Sequence, residues 1–171
     1  MVEITLEQAE RLRRPNKTFR LFQPTEEKLK ELAIHLMKEE LYIPDEKRNW
    51  QSIYGLISYY TSPTYPHLFY EIGDYQGLIG FMDIIPEYKA LLLWKMWDKN
   101  VWNKTFARHG IEIINLVMDT YKLKRLGTET ADPKVVKMAR MAGFIYEGSK
   151  VNEFMWNGKL HDRHILAKYG E

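Results

Sequence analysis

The stretch Ala90–Phe144, ALLLWKMWDKNVWNKTFARHGIEIINLVMDTYKLKRLGTETADPKVVKMARMAGF, decides the fold. It reads as a strand, a tight loop, a long helix, a strand, a short helix and a closing Gly-Phe pair. A helix that crosses over between two strands makes them parallel and sets its own N-terminus beside the end of the first. Phosphate-bearing ligands commonly sit there, because first-turn amides and the helix dipole both favour an anion.

Working upstream, Tyr88–Trp97 is almost continuously apolar, as expected of a central strand buried on both faces. His67–Ile72 and Leu78–Ile85 read as a hairpin around the turn Gly73–Gly77. Pro24-Thr25-Glu26-Glu27 starts an amphipathic helix whose stripe is Leu29, Leu32, Ala33, Leu36 and Met37; His35 lies off the stripe and should face solvent. A second helix is expected from Pro44-Asp45, with Trp50, Ile53, Tyr54, Ile57 and Tyr60 at helical spacing, until Ser62–Pro66 stops it. Thr18–Phe22 is the first strand, and Thr5 with Gln8 has the capping-box spacing of a short helix through about Arg14. Downstream, Asn157-Gly158 between apolar runs marks a second hairpin. Leu91, Leu93, Ile113, Leu116, Val117, Val136, Met141 and Phe144 form the expected core.

The chain has 171 residues, 45% of them hydrophobic, which fits one domain with a sizeable core. A formal charge of +2 gives no electrostatic case for nucleic acid. The absence of cysteine excludes disulfides, thiol nucleophiles and Cys-ligated metals. No run approaches the 18 apolar residues of a membrane span, and a cytoplasmic location is expected.

The order strand, two helices, three antiparallel strands, helix, strand, helix and two strands resembles the GNAT acyltransferase superfamily. Asp132–Phe144 is similar to the family segment N-x-x-[AS]-x-x-x-[YLM]-x-x-x-G-F, with Asp132 in the asparagine place and Gly143-Phe144 closing it. GFIYEG followed by NGKLHD resembles the branch that acetylates ribosomal proteins and other protein N-termini. The resemblance implies an α/β (α+β) fold with a mixed, mainly antiparallel sheet flanked by helices and a C-terminal hairpin. It covers residues 18–171 and leaves 1–17 as an N-terminal extension.

The same resemblance implies an acetyl-CoA site. The central strand would splay from its neighbour so that pantetheine pairs with its exposed backbone, and pyrophosphate would rest on amides opening the long helix. On this chain those positions are Met96, Trp97, Asn103, Lys104, Thr105, Phe106 and Ala107, with Asp132 at the next helix. The family loop [QR]-x-x-G-x-[GA] is not matched: Val101 takes the Arg/Gln place, and Lys104 and Phe106 take the glycine places. Trp102 and Phe106 are large enough to fill the pyrophosphate space, whereas Lys104 offers a charge to a phosphate. The family's thiolate-protonating tyrosine aligns with Ala139 and its strand glutamate with Leu91. Glu71, Asp83 and Asp98 are the carboxylates that would act on an amine in their stead, set against the ordinary reading of solvated or ion-paired groups.

His161, Asp162 and His164 have the composition of a metal cluster. Side chains alternate along a strand, however, so two at most share a face and no metal site is expected. Lys134, Lys137 and Arg140 read as a solvated helix face. The aromatic run from Ser58 to Tyr70 serves the core or lines a groove. The helix within residues 1–17 has too few apolar residues to hold itself down, so it is expected to dock on a partner or a second copy of the chain. Two functions follow: an acyl-CoA-dependent N-acyltransferase of a small amine or a protein amino group, or a binding protein of the same fold that has lost the cofactor.

Overall fold

The computed structural model describes residues 4–38, 67–98, 100, 103–156 and 159–171. In chain order these form α1 (Leu6–Arg13), β1 (Phe19–Leu21), α2 (Glu26–Lys38), β2 (Leu68–Ile72), β3 (Gly77–Ile85), β4 (Lys89–Met96), α3 (Lys104–Tyr121), β5 (Arg125–Thr130), α4 (Pro133–Met141), β6 (Ile145–Trp156) and β7 (Lys159–Tyr169). The strands make one sheet in the order β1-β2-β3-β4-β5-β7-β6. Neighbours are antiparallel except β4 and β5, the parallel pair that α3 joins. The sheet, its flanking helices and the long β6–β7 hairpin are the expected architecture, with boundaries shifted by a residue or two. The expected helix from Pro44 to Tyr60 and the expected turn residues Asn157-Gly158 lie outside the described residues; Trp156 is paired with Lys159.

Two apolar layers flank the left half of the sheet. On one face Phe19, Tyr70, Ile72, Ile79, Phe81, Ala90 and Leu92 pack with Phe106, Ile113, Ile114, Val117 and Met118 of α3. On the other, Leu32 of α2 joins Phe69 and Leu78, with Leu93 against them. Gly80 makes the second layer possible, since a Cβ there would stand 2.3 Å from the Phe69 ring.

Several core expectations are corrected. Leu91 is 42% exposed and Met141 72% exposed, while Leu93, Leu116 and Val136 are only partly buried. β4 is therefore not covered on both faces along its length: its burial alternates, with Ala90 and Leu92 inward and Lys89 and Leu91 outward. Ile113, Val117 and Phe144 are buried as expected. His35 does not face solvent alone; its ring stacks on Trp97 at 4.3 Å and it lies 3.6 Å from Glu31.

The capping box of α1 is present, with Thr5 Oγ1 accepting from the Gln8 amide and Gln8 Oε1 from the Thr5 amide. α1 packs on its own domain. Leu12 is 6% exposed within the main core, and Asn16 donates to the carbonyl of His109 at 3.2 Å. Among the described residues no helix is long and apolar enough to cross a membrane.

Candidate active site

The site grows out of the one parallel pairing. β4 and β5 are in register only over Lys89–Leu91 and Arg125–Gly127. β4 runs on to Met96 and β5 to Thr130, so past Leu91 the two strands part and the β5-facing backbone of β4 leaves the ladder. One tie crosses the opening: Thr128 Oγ1 donates to the Leu92 carbonyl at 3.0 Å. The open half of β4 leads through Trp97 and Asp98 to the start of α3.

The start of that helix is built by Asn103, whose side chain accepts from the Phe106 amide at 2.9 Å and whose carbonyl accepts from the Ala107 amide at 3.0 Å. These two amides are committed. Those of Lys104 and Thr105 belong to the first turn and have no acceptor inside the helix. Both side chains are exposed. Phe106 does not fill the phosphate space as expected from its size. It turns into the core at 2% exposure, 5.7 Å from Phe19 and 5.5 Å from Trp94 by ring centroid. Trp102 and Val101 lie outside the described residues. A cavity of about 230 Å³ lies beside the helix start, lined by Lys17, Thr18, Ile72, Gly73, Gln76, Asn103, Thr105 and Phe106, which forms part of its wall.

An aromatic group holds the end of β4. Trp97 donates its indole N–H to the Tyr75 carbonyl at 2.7 Å, and Tyr75 stacks on Phe22 at 6.0 Å and meets Trp97 edge-on at 5.1 Å. Tyr75 stands at the β2–β3 turn with a φ of 62° and donates its hydroxyl to the Lys28 carbonyl at 3.1 Å. Burial, reinforced by Glu31 and Glu71, pushes that hydroxyl above the ordinary tyrosine range, so it stays protonated. This packing ties α2 to the point where the chain leaves β4 for α3.

The three candidate carboxylates are not brought together. Glu71 lies on β2, 8% exposed, where it pairs with Lys28 and, at 3.6 Å, with Arg20. Asp83 sits at the β3 irregularity near the closed end of the β4–β5 pair, with φ 50°, and its amide donates to His67 Nδ1 at 3.1 Å. Burial lowers the pKa of His67, against the opposing charge of Asp83. Asp98 follows the open end of β4 and accepts from Gln76 Nε2 at 3.0 Å and the Asn100 amide at 2.9 Å. Met96 ends β4 opposite Gly77. Asp132 caps α4 through the Lys134 amide at 2.8 Å; the exposed Lys134, Lys137 and Arg140 lie on that helix.

Sequence reasoning missed Thr128 and Lys95. No local pattern marks Thr128, because its role depends on where the β4–β5 pairing stops. Lys95 did carry a signal: it is a charge inside the apolar run 90–96 and is 7% exposed, on the open half of β4. Among the described residues no group of three metal-ligating side chains occurs; Asp162 instead accepts from the Asn152 amide at 2.9 Å, and His164 lies 3.3 Å from the Tyr146 hydroxyl.

Solved structures of spermidine N-acetyltransferase from Vibrio cholerae share this architecture. The form in complex with CoA and spermine superposes with a TM-score of 0.68 at 18% identity, over 91% of this chain and 97% of that one. A point mutant of the same enzyme gives 0.68 at 16% identity, over 90% and 95%. The chain has the GNAT fold. No protein-family model and no curated protein matches the sequence.

The residues present fit a CoA-type ligand through backbone rather than through glycine. The strand edge past Leu91 is out of the ladder, two first-turn amides lack helical acceptors, Lys104 adds a positive charge, and Phe106 is turned out of the way.

Proposed function

We propose that the chain is an acyl-CoA-dependent N-acyltransferase of a small amine or a protein amino group. The observation that carries this reading is the early end of the β4–β5 pairing, which opens a strand edge directly before the N-terminus of α3. Acetyl-CoA would supply its acyl group as a thioester. Met96 and Trp97 would flank the pantetheine, while Asn103 holds the first turn in the conformation that presents the amides of Lys104 and Thr105 to phosphate. Phe106 and Ala107 serve by packing and helix bonding. Asp132 stands at the start of the helix beside the cleft.

The acyl acceptor must lose a proton. Of Glu71, Asp83 and Asp98, Asp98 is the first to replace, because it follows the open half of β4; Glu71 is already paired with two cations. The spermine of the V. cholerae complex supports a small amine as acceptor, and the likeness of the C-terminal segment to the branch acting on protein N-termini supports a protein amino group. Residues 1–17 are proposed as an extension of the domain 18–171 that also offers a partner surface, with Leu6, Arg11 and Arg13 exposed on α1. A second reading, a binding or structural protein without cofactor, is favoured by the loop before α3, where Val101, Lys104 and Phe106 replace the family's Arg/Gln and glycines.

Acetyl-CoA at a hundredfold excess over its Kd should stabilise the fold by about 2.7 kcal/mol. That raises the Tm by about 5 to 11 °C for a domain of this size. Lys104→Ala should shrink the rise, and transfer to spermidine or a peptide amine should be detected as released thiol. An unchanged Tm at millimolar acetyl-CoA would leave the cofactor-free reading in its place.

A further inference from the structure

We propose that Lys168 is an acyl-acceptor site, a lysine placed to react with small activated acyl groups that carry phosphate. It stands at the opposite end of α3 from the cleft, in a cavity of about 600 Å³ lined by Asn115, Asp119, Lys122, Lys124 and Tyr169 among others. Its Nζ donates to Asn115 Oδ1 at 2.8 Å and to the Ala142 carbonyl at 2.9 Å. Among the described residues no carboxylate lies within ion-pair distance of it, whereas Lys28 and Lys30 each have one and Lys150 has two. A neutral amine has two N–H donors and one lone pair. In its neutral form Lys168 gives both donors to the two oxygens and leaves the lone pair for the cavity.

Two further observations agree. Burial lowers the affinity of Lys168 for its proton, against the pull of Asp119 in the same cavity, and a larger neutral fraction means a faster nucleophile. Gly143, at φ 88°, turns the chain after α4 so that its backbone passes close to the amine. The charged groups facing Lys168 from the elements around it are Asp119 and Lys122 at the end of α3, Lys124 before β5, and Glu171 after β7. Lys124 donates to the carbonyl oxygen of Glu171 at 2.6 Å, so Lys122 is the cation at the entrance that meets the phosphate of a donor.

The reaction is a single acyl transfer. The lone pair of Nζ attacks the acyl carbon and forms a C–N bond. The C–S bond of an acyl thioester breaks to release the thiol, or the C–O bond of an acyl phosphate breaks to release phosphate, and the amine proton passes to solvent. The amide formed keeps one N–H, so either Asn115 or the Ala142 carbonyl loses its donor, and the tie that Lys168 makes between α3 and the end of α4 is halved.

The full-length protein is incubated at pH 8 with acetyl-CoA in one arm and acetyl phosphate in the other, and acetylation of each lysine is followed by peptide mass spectrometry, native and in urea. Lys168 should be acetylated several-fold faster than the exposed Lys122 and Lys124 in the native protein, with the difference vanishing in urea. A preference for one arm identifies the donor. Lys168→Arg should abolish the fast site without creating another. Native labelling of Lys168 equal to or slower than that of its two neighbours in both arms overturns the proposal. The acetyl phosphate arm does not use the β4–β5 cleft, so failure of acyl transfer there and failure at Lys168 are read separately.

Discussion

Strands β1–β4 and strands β5–β7 share one sheet and differ in what covers them. The first group is packed on both faces, by α3 on one side and α2 on the other, and contains fully buried Phe19, Tyr70, Ile79 and Phe81. The second carries α4, a helix with no buried residue, and many charged side chains. Glu129 meets Lys150 and Arg163 at 3.3 Å each, and Arg125 meets Glu147 at 2.5 Å. Exposed ion pairs contribute little individually, so the second group rests on its hydrogen-bond ladder, above all the long β6–β7 pairing, and on the one apolar face where Leu126, Phe144, Leu166 and Ala167 are buried. The join between the groups is the three-residue β4–β5 pairing. A cleft at that seam costs little packing, because β4 is already held through its other edge by β3.

Equal truncations in the two groups should have very unequal effects. Phe106→Ala removes a ring that touches Phe19 and Trp94 at 2% exposure and should cost about 3 to 5 kcal/mol. Met141→Ala on α4, at 72% exposure, should stay within about 0.5 kcal/mol. Urea unfolding of both variants decides the matter, and similar losses would mean that the two groups are not packed differently.

The same contrast explains what could be read in the sequence. Helical and alternating periodicity report which face of an element is apolar, so α2, α3 and the β2–β4 meander were legible from spacing alone. Periodicity does not report whether anything lies against that face. Leu91 and Met141 were expected inside because their neighbours are apolar, yet each stands where the covering layer runs out. Phe106 was expected in the cofactor space by alignment; the cap at Asn103 sets the helix phase that turns its ring inward. Thr128 was illegible, because its contact to Leu92 depends on where two strands part.

A second substitution sharpens the account of the packed group from within. Tyr70 is fully buried, and among the described residues its hydroxyl has no hydrogen-bond partner. Burial and the nearby Tyr121 push its pKa up, so it remains neutral at every ordinary pH. A buried hydroxyl without a partner forfeits its hydration. Tyr70→Phe should therefore leave stability unchanged or raise it by about 1 kcal/mol, the opposite sign to most core substitutions. A loss of stability comparable to that of a broken hydrogen bond would show that the hydroxyl has a partner in the folded protein.

The smallest expected effect tests the charged group. Glu147 on β6 accepts from Arg125 and from the Tyr169 hydroxyl, and these bonds, Arg125 first, hold its carboxyl below the ordinary value of 4.5. Between the lowered native pKa and that value the unfolded chain binds more protons than the folded one, so stability rises with pH across the interval. The contribution is complete above about pH 4.5 and is lost as the pH falls through the native pKa. Because Glu147 is solvent-exposed, salt should weaken the effect. Glu147→Gln should lower stability slightly at neutral pH and flatten the acid limb of the stability curve below about pH 4.5, and hydrogen exchange of the β6–β7 amides should show the loss locally. Superimposable acid limbs for the two proteins would mean that the Arg125–Glu147–Tyr169 contact contributes nothing, and that backbone pairing and the buried Leu126, Phe144, Leu166 and Ala167 hold this half of the sheet without it.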